Sequence, residues 1–217
     1  MLSTYTYPKF EYVCPPEVAE QRSGHYPVVI VGAGPVGLSM AIDLAAQGQQ
    51  VLLLDNDDTV SIGSRGVCYA KRTLEVLDRL NCGAPAVEKG VSWNVGRTFF
   101  GDGEVFNFNL CPQEGHQRPG MVNLQQYYLE DYLVARARQL PNLEMRFKNN
   151  VISVEQDDAQ ATVRVETPDG AYTLTTDWLV AADGARSPIR TMLGLDIEGK
   201  IFMDRFLIAD VVMKADY

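Results

Sequence analysis

Six residues, Gly32-Ala-Gly-Pro-Val-Gly37, have the spacing of a phosphate-cradling turn. In a G-x-G-x-x-G pattern the first glycine permits a tight exit from a strand. The second lets the backbone approach a pyrophosphate with no side chain in the way, and the third lets a helix pack closely on the strand. Those roles fall to Gly32, Gly34 and Gly37, with Pro35 and Val36 opening the helix. A helix N-terminus adds unpaired N–H groups and a partial positive charge, which suit an anion. Asp55, followed by Asn56, stands roughly 20 residues beyond the turn, where a carboxylate can accept hydrogen bonds from both hydroxyls of an adenosine ribose. The pattern points to a bound dinucleotide and admits NAD and FAD alike. The other reading of Asp55 is a solvated turn residue in the acidic run Asp55-Asn-Asp-Asp58.

These residues need a strand before the turn, a helix after it and a second strand ending at the acid. Val28 to Val31 is a continuous β-branched run, as in a parallel strand covered on both faces. Leu38, Ala41, Ile42 and Ala45 repeat at helical spacing, and Gly48 stands where a left-handed cap would end the helix. Val51 to Leu54 is a second apolar strand closed by Asp55, which completes a βαβ unit. Further on, Leu74, Leu77 and Leu80 predict a short helix from about Lys71, and Leu129, Leu133 and Ala137 predict a longer one over roughly 123 to 139.

Between those helices, Phe99 and then Phe106, Phe108 and Leu110 alternate around Gly101-Asp102-Gly103 like the arms of a hairpin. These phenylalanines and Trp93 read as core or interface residues before substrate stackers. Leu143, Met145 and Phe147 alternate as a strand, and two more strands meet across Asp169-Gly170, forming an antiparallel meander. Trp178 to Ala182 reads as a short buried strand ending in Asp183-Gly184, and 201 to 213 as another strand. Residues 1 to 26, with Pro8, Pro15 and Pro16 and no period, predict an extended arm, lying on the body or loose, with order beginning at Tyr26.

The formal net charge of -9 provides no basic field for nucleic acid or anionic lipid, and no apolar run is long enough to span a bilayer. A cytoplasmic location is the expectation that follows. The four cysteines, Cys14, Cys68, Cys82 and Cys111, contain no CxxC pair and stand beside only two histidines, so neither a metal site nor a redox dithiol is signalled. All four are read as reduced. His116, in Gln113-Glu-Gly-His-Gln, is read as a solvated loop histidine rather than a base.

Four stretches carry a family resemblance: GAGPVG at 32 to 37, SRGVCYAKRTLEVLDRL at 64 to 80, NLQQYYLEDYL at 123 to 133 and DWLVAADGARSPIR at 177 to 190. The last is the most specific, an apolar strand followed by Asp-Gly and Ser-x-x-Arg. Together they resemble the class A flavoprotein monooxygenases, the single-component FAD-dependent aromatic-ring hydroxylases, and most of all the 3-(3-hydroxyphenyl)propionate hydroxylase type. The resemblance implies FAD as cofactor and NAD(P)H as co-substrate. It implies that Arg65 reaches the FAD pyrophosphate, where a planar multi-donor cation suits a diphosphate. It also implies that Gln126 hydrogen-bonds the ribityl chain, while Gln125 beside it points about 100° away around the helix. By the same resemblance, Asp183 and Gly184 are expected to form a turn that contacts FAD, Val151 and Ala182 to line the adenine and pyrophosphate end through their backbones, and Arg190 to brace Asp183 or its helix. For Arg65 and Gln126 the other readings are a surface arginine and a solvated helix-start glutamine.

The implied fold is α/β: a Rossmann-like FAD-binding βαβ domain with an inserted antiparallel meander and the start of a β-rich substrate domain. The layout expected is an N-terminal arm over 1 to 25, the FAD-binding domain over 26 to 195, with a hairpin segment at 92 to 112 and the meander at 150 to 176, and the opening of a substrate-binding domain over 196 to 217. The family's third signature, a Gly-Asp-Ala-Ala-His-like stretch, has no counterpart in these residues, since Gly101-Asp102 is better explained as a turn. The sequence therefore reads as an N-terminal part, with a self-associating or low-stability fragment, or a homodimer, as the expected state. The function implied is hydroxylation of a small phenolic substrate with molecular oxygen. A non-catalytic nucleotide-binding or interaction fragment, and an NAD-dependent dehydrogenase, are the rival readings. No catalytic residue and no metal ligand is named.

Overall fold

The computed structural model describes residues 5 to 63, 65 to 205, 207 and 214. The chain begins with a short helix α1 (Pro16–Ala19), which runs into strand β1 (Gly24–Val31), helix α2 (Pro35–Ala46) and strand β2 (Val51–Leu54). The alternation Val28/Ile30 and Val29/Val31 places apolar side chains on both faces of β1, and all four are buried, as a central parallel strand requires. Pro35 sits at the first position of α2, where its missing N–H is no loss. Beyond the end of that helix Gly48 takes a φ of +88°, the left-handed conformation a glycine adopts cheaply.

The middle of the chain supplies a three-residue strand β3 (Cys68–Ala70), helices α3 (Lys71–Arg79) and α4 (Gly83–Lys89), and strands β4 (Val91–Trp93), β5 (Val95–Phe100), β6 (Gly103–Asn109) and β7 (Met121–Asn123). Helix α5 (Gln126–Ala137) follows, then β8 (Leu143–Arg146), β9 (Asn150–Gln156), β10 (Ala161–Thr167), β11 (Gly170–Ala181) and a five-residue helix α6 (Pro188–Met192). The main sheet has the order β8-β2-β1-β11-β10-β9. Its first four strands are parallel, whereas β11, β10 and β9 pair antiparallel. Strand order therefore reverses at β1, whose carboxyl end opens between β2 and β11. That reversal is the switch point at which open α/β sheets form their crevice.

Two buried clusters lie on opposite faces of β1 and β2. One joins Val28, Ile30, Val51 and Leu53 to Leu38 and Ile42 of α2, Leu74 and Leu77 of α3, and Leu129 and Leu133 of α5. The other joins Val29, Val31, Leu52 and Leu54 to Val163, Val165, Tyr172 and Leu174 of the meander and to Ile189 of α6. Among the described residues, the helices thus cover one face near the switch point and the meander covers the other.

Several expectations need correction. Order does not begin at Tyr26. Phe10 is buried and stacks on Phe147 with ring centroids 4.5 Å apart, and Glu17 is buried against Arg146 with an ion pair of 2.9 Å. The meander arm and the strand read at Trp178 to Ala182 are one continuous strand, β11, because β1 pairs along it from Gly24 to Val31. Trp178 itself is exposed. The hairpin forms as β5 and β6, yet both of its faces are exposed, so Phe99, Phe100 and Phe106 belong to no core among the described residues. Of the strand expected at 201 to 213, residues 201 to 205 have no regular structure, and most of the rest lie outside the described residues. The four cysteines are free thiols, with Cys82 buried.

Candidate functional site

A cleft of about 430 Å³ opens at the carboxyl ends of the parallel strands, bordered by the turn at 32 to 36, the segment after β2, and the Ala182-Asp183-Gly184 turn after β11. Its position follows from topology alone. Strands β1, β2 and β11 all deliver their last residues there, with α2, α5 and α6 starting beside them.

The three glycines of the turn are held by different constraints. Gly32 has a φ of +107°, and a Cβ there would lie 2.3 Å from the carbonyl oxygen of Ala182. Its N–H donates to the carbonyl of Leu54 at 2.8 Å, tying the turn to the end of β2. Gly37 does not line the cleft; a Cβ there would lie 1.9 Å from the Gly32 carbonyl oxygen. Both are required by the packing of the protein on itself. Gly34 lines the cleft, has an ordinary φ of -76°, and a Cβ on it would meet nothing within 4 Å. Nothing among the described residues demands a glycine there. Pro35 and Val36 continue the rim, with the Val36 side chain 73% exposed. No side chain among the described residues caps the N-terminus of α2, which leaves its first-turn N–H groups for a ligand.

Asp55 closes β2 at the cleft floor. Its Oδ2 accepts from the Ala33 N–H at 2.5 Å and its Oδ1 from the Asp57 N–H at 2.7 Å, so the carboxylate braces the glycine turn as well as facing the cleft. Burial pushes this carboxyl above its ordinary range, and the two N–H donors offset part of that rise. Each carboxylate oxygen keeps further acceptor capacity toward a ligand hydroxyl. The reading of Asp55 as a fully solvated turn residue does not describe this environment. Asn56 follows on the rim.

Arg65 also lines the cleft, exposed, and its guanidinium makes no ion pair or hydrogen bond with the other described residues. Gln126, at the first position of α5, lines the cleft too, whereas Gln125 before it is exposed outside it. Val151 enters from β9 and Ala182 from the end of β11, where the Ala182 N–H donates to the Val31 carbonyl at 2.8 Å. Asp183 turns its Oδ2 to the Ile189 N–H at 3.0 Å, and Ser187 accepts from the Arg190 N–H, so this turn caps α6. The guanidinium of Arg190 reaches the Ala185 carbonyl at 3.2 Å rather than Asp183, so it braces the loop and not the aspartate. His116 lies outside the cleft, 3.4 Å from the ammonium of Lys71.

Cleft residues not singled out from sequence include Thr59, Ser61, Glu130 and Asn149. Glu130 lies four residues after Gln126, on the same helical face, so its spacing was a usable signal. Asn149 follows β8, and the rule that ligands bind at carboxyl ends of parallel strands would have found it once β8 was seen as parallel. Thr59 and Ser61 are placed by contacts across the chain. Thr59 donates to the Pro8 carbonyl at 2.6 Å, and Ser61 bonds to Glu130.

Residues 25 to 217 match the family model described as FAD binding domain. The chain is 34% identical over 187 residues to para-nitrophenol 4-monooxygenase of Pseudomonas sp. strain WBC-3, covering 85% of this chain and 46% of that protein. It is 32% identical to 3-(3-hydroxy-phenyl)propionate/3-hydroxycinnamic acid hydroxylase 2 of Burkholderia vietnamiensis, covering 85% of this chain and 34% of the relative. The crystal structure of p-nitrophenol 4-monooxygenase from Pseudomonas putida DLL-E4 superimposes with a TM-score of 0.77 at 31% identity, over 82% of this chain and 46% of that one. The chain thus spans less than half the length of these relatives.

Proposed function

The chain belongs to the FAD-binding-domain family, and from that premise we propose that the cleft at 32 to 36 holds FAD. The whole protein, on this reading, is an NAD(P)H-dependent monooxygenase that hydroxylates a phenolic ring with molecular oxygen. The observation that carries the FAD assignment is Gly34. Gly32 and Gly37 are explained by clashes within the chain, and Gly34 by none among the described residues, so we read its missing side chain as room for a ligand. The N-terminus of α2, without a side-chain cap among the described residues, faces the same space, and Arg65 on its rim has no partner among those residues.

The chain's own residues divide the work. The N–H groups at the start of α2 and the Arg65 guanidinium take the diphosphate, which is suited by several donors and a planar cation. Asp55 accepts from the adenosine ribose, and Val151 and Ala182 line that end through their backbones. Gln126 takes the ribityl chain, and Asp183-Gly184 closes the opposite wall. Bound FAD supplies two-electron redox chemistry with NAD(P)H and oxygen, and the protein supplies orientation and exclusion of water.

The proposed layout has an arm over 1 to 25, the FAD-binding domain over 26 to 195 and the opening of a substrate-binding domain over 196 to 217. A cytoplasmic location and a homodimer go with this reading. Among the described residues no helix is long and apolar enough to cross a membrane. The relatives favour this function over an NAD-dependent dehydrogenase, since those named above are hydroxylases and monooxygenases. Titration of the purified chain with FAD tests the reading. A shifted flavin spectrum together with a raised melting temperature is expected, and an unchanged spectrum and an unchanged melting temperature would refute it.

A further inference from the structure

Glu130 is 2% exposed, lines the cleft, and has no cation beside it among the described residues. Its partners are all donors. Oε2 accepts from the Ser61 N–H at 2.6 Å, and Oε1 accepts from the Ser61 hydroxyl at 2.7 Å and from the Gln126 amide nitrogen at 2.7 Å. A buried carboxylate with one backbone N–H fixed on it draws donors from the remaining neighbours. The Gln126 amide can meet that demand in one orientation only, with Nε2 toward Glu130. The same nitrogen also donates to the Ser61 hydroxyl oxygen at 3.1 Å. Both amide hydrogens are then used inside the protein.

The consequence is felt on the other side of the amide. The carbonyl oxygen Oε1 of Gln126 has no hydrogen-bond partner among the described residues and lies where a Cβ on Gly66 would come within 3.1 Å of it. We propose that Glu130 is a positioning residue that locks the Gln126 amide with its nitrogen inward on Glu130 and Ser61 and its carbonyl left over for a ligand, so that this residue of the cleft wall accepts hydrogen bonds and selects a ligand carrying hydroxyl donors. The proposal rests on the reading of the cleft as an FAD site, where the hydroxyl donors are those of the ribityl chain. Reversing the amide would present an NH2 group instead, and a ligand hydroxyl held as a donor would be mispaired. It would also set the Gln126 oxygen against the Glu130 carboxylate and leave a buried acceptor short of its donor. Glu130 makes the choice without touching the ligand through its own charge, because its oxygens are turned to Ser61 and Gln126.

The test is a double-mutant cycle on the full chain, with FAD and ADP as the two probes. ADP carries the adenosine and diphosphate of FAD but no ribityl chain, so it does not reach Gln126. Glu130→Gln offers its own NH2 to the Gln126 oxygen and so releases the lock. About tenfold weaker FAD binding is expected for one mispaired hydrogen bond, with ADP binding unchanged. In a Gln126→Leu background, the same substitution at 130 is expected to leave FAD affinity unaltered, since the group through which it acts has gone. A merely structural role would lower FAD and ADP binding together and persist in the Gln126→Leu background, and either result overturns the proposal. FAD binding by Glu130→Gln equal to that of the parent chain overturns it as well. If the parent chain binds neither FAD nor ADP, the cofactor reading falls first and takes the proposal with it, an outcome distinguishable because it appears before any substitution is made.

Discussion

Replacing Gly34 by alanine separates what the fold needs from what the ligand needs. At Gly34 a Cβ meets nothing within 4 Å, and the backbone at φ -76°, ψ -179° is open to any residue. Alanine lowers the entropy of the unfolded chain, worth about 0.5 kcal/mol in favour of folding, and is a poorer N-cap than glycine by roughly 0.7 kcal/mol, so the two offset and the free protein should change by roughly 0.5 kcal/mol or less. At Gly37 the added methyl would lie 1.9 Å from a backbone carbonyl, which only a shift of α2 can relieve, at about 2 kcal/mol. For a domain of this size that is a fall in melting temperature of roughly 5 °C. FAD affinity should run the other way. The Gly34→Ala methyl stands in the space assigned to the diphosphate and should weaken binding by about 2 kcal/mol, roughly thirtyfold. Thermal unfolding of both variants without FAD, followed by fluorescence titration with FAD, gives the answer. A Gly34→Ala chain that melts as early as Gly37→Ala, or that binds FAD like the parent, refutes the reasoning.

Two further outcomes follow from the arm and from the acids. Phe10→Ala removes a buried ring from its stack on Phe147 and should cost about 3 kcal/mol, read from the urea midpoint; a neutral substitution would mean the arm is not seated as described. The Glu17 carboxyl is pushed up by burial, but the Tyr26 hydroxyl, its own backbone N–H and Arg146 outweigh this and hold it below the ordinary 4.5. The unfolded state therefore binds the proton more readily, and this group's contribution is complete above pH 4.5 and lost as pH falls through the lower folded value. Glu17→Gln should remove about 3 kcal/mol at neutral pH and flatten that acid limb in denaturation curves collected across the acid range; an undiminished limb would contradict the assignment.

The βαβ unit was legible because its signals are local. A strand buried on both faces has to be apolar throughout, and a turn without side chains has to be glycine, so strand, turn, helix and Asp55 could be read within one short window. The arm was not legible, since its anchors are pairs far apart in sequence. Phe10 meets Phe147, Thr59 meets Pro8, and the Gly63 N–H meets the Tyr7 hydroxyl at 3.0 Å. No periodicity announces a contact of that kind. Strand β11 reads from sequence as two strands, with the polar Thr175-Thr176-Asp177 lying between them. Thr176 is in fact buried, with its hydroxyl donating to the Trp178 carbonyl, and β1 pairs straight across the stretch. The hairpin was seen, but alternation implied one covered face, and the described residues cover neither.

The overall acidity argues against a phosphate polymer, yet it does not exclude one diphosphate, and the geometry of the cleft explains why. Asp55 is engaged by the Ala33 and Asp57 N–H groups, Asp57 by the Asp58 N–H, Glu130 by Ser61 and Gln126, and Asp183 by the Ile189 N–H. Each carboxylate around the cleft is therefore partly spent on a donor of the protein, and in the cases of Asp55 and Asp183 that donor belongs to the turn or helix that shapes the wall. The start of α2, by contrast, carries no side-chain cap, and Arg65 has no acidic partner among the described residues. Acids fix the frame while the donors that matter to an anion are left over, so a negatively charged chain can hold a negatively charged ligand without a basic patch. A nucleic-acid backbone needs many phosphates met over a long surface and gains nothing from such an arrangement, whereas a single diphosphate needs only a few N–H groups and one guanidinium in one place.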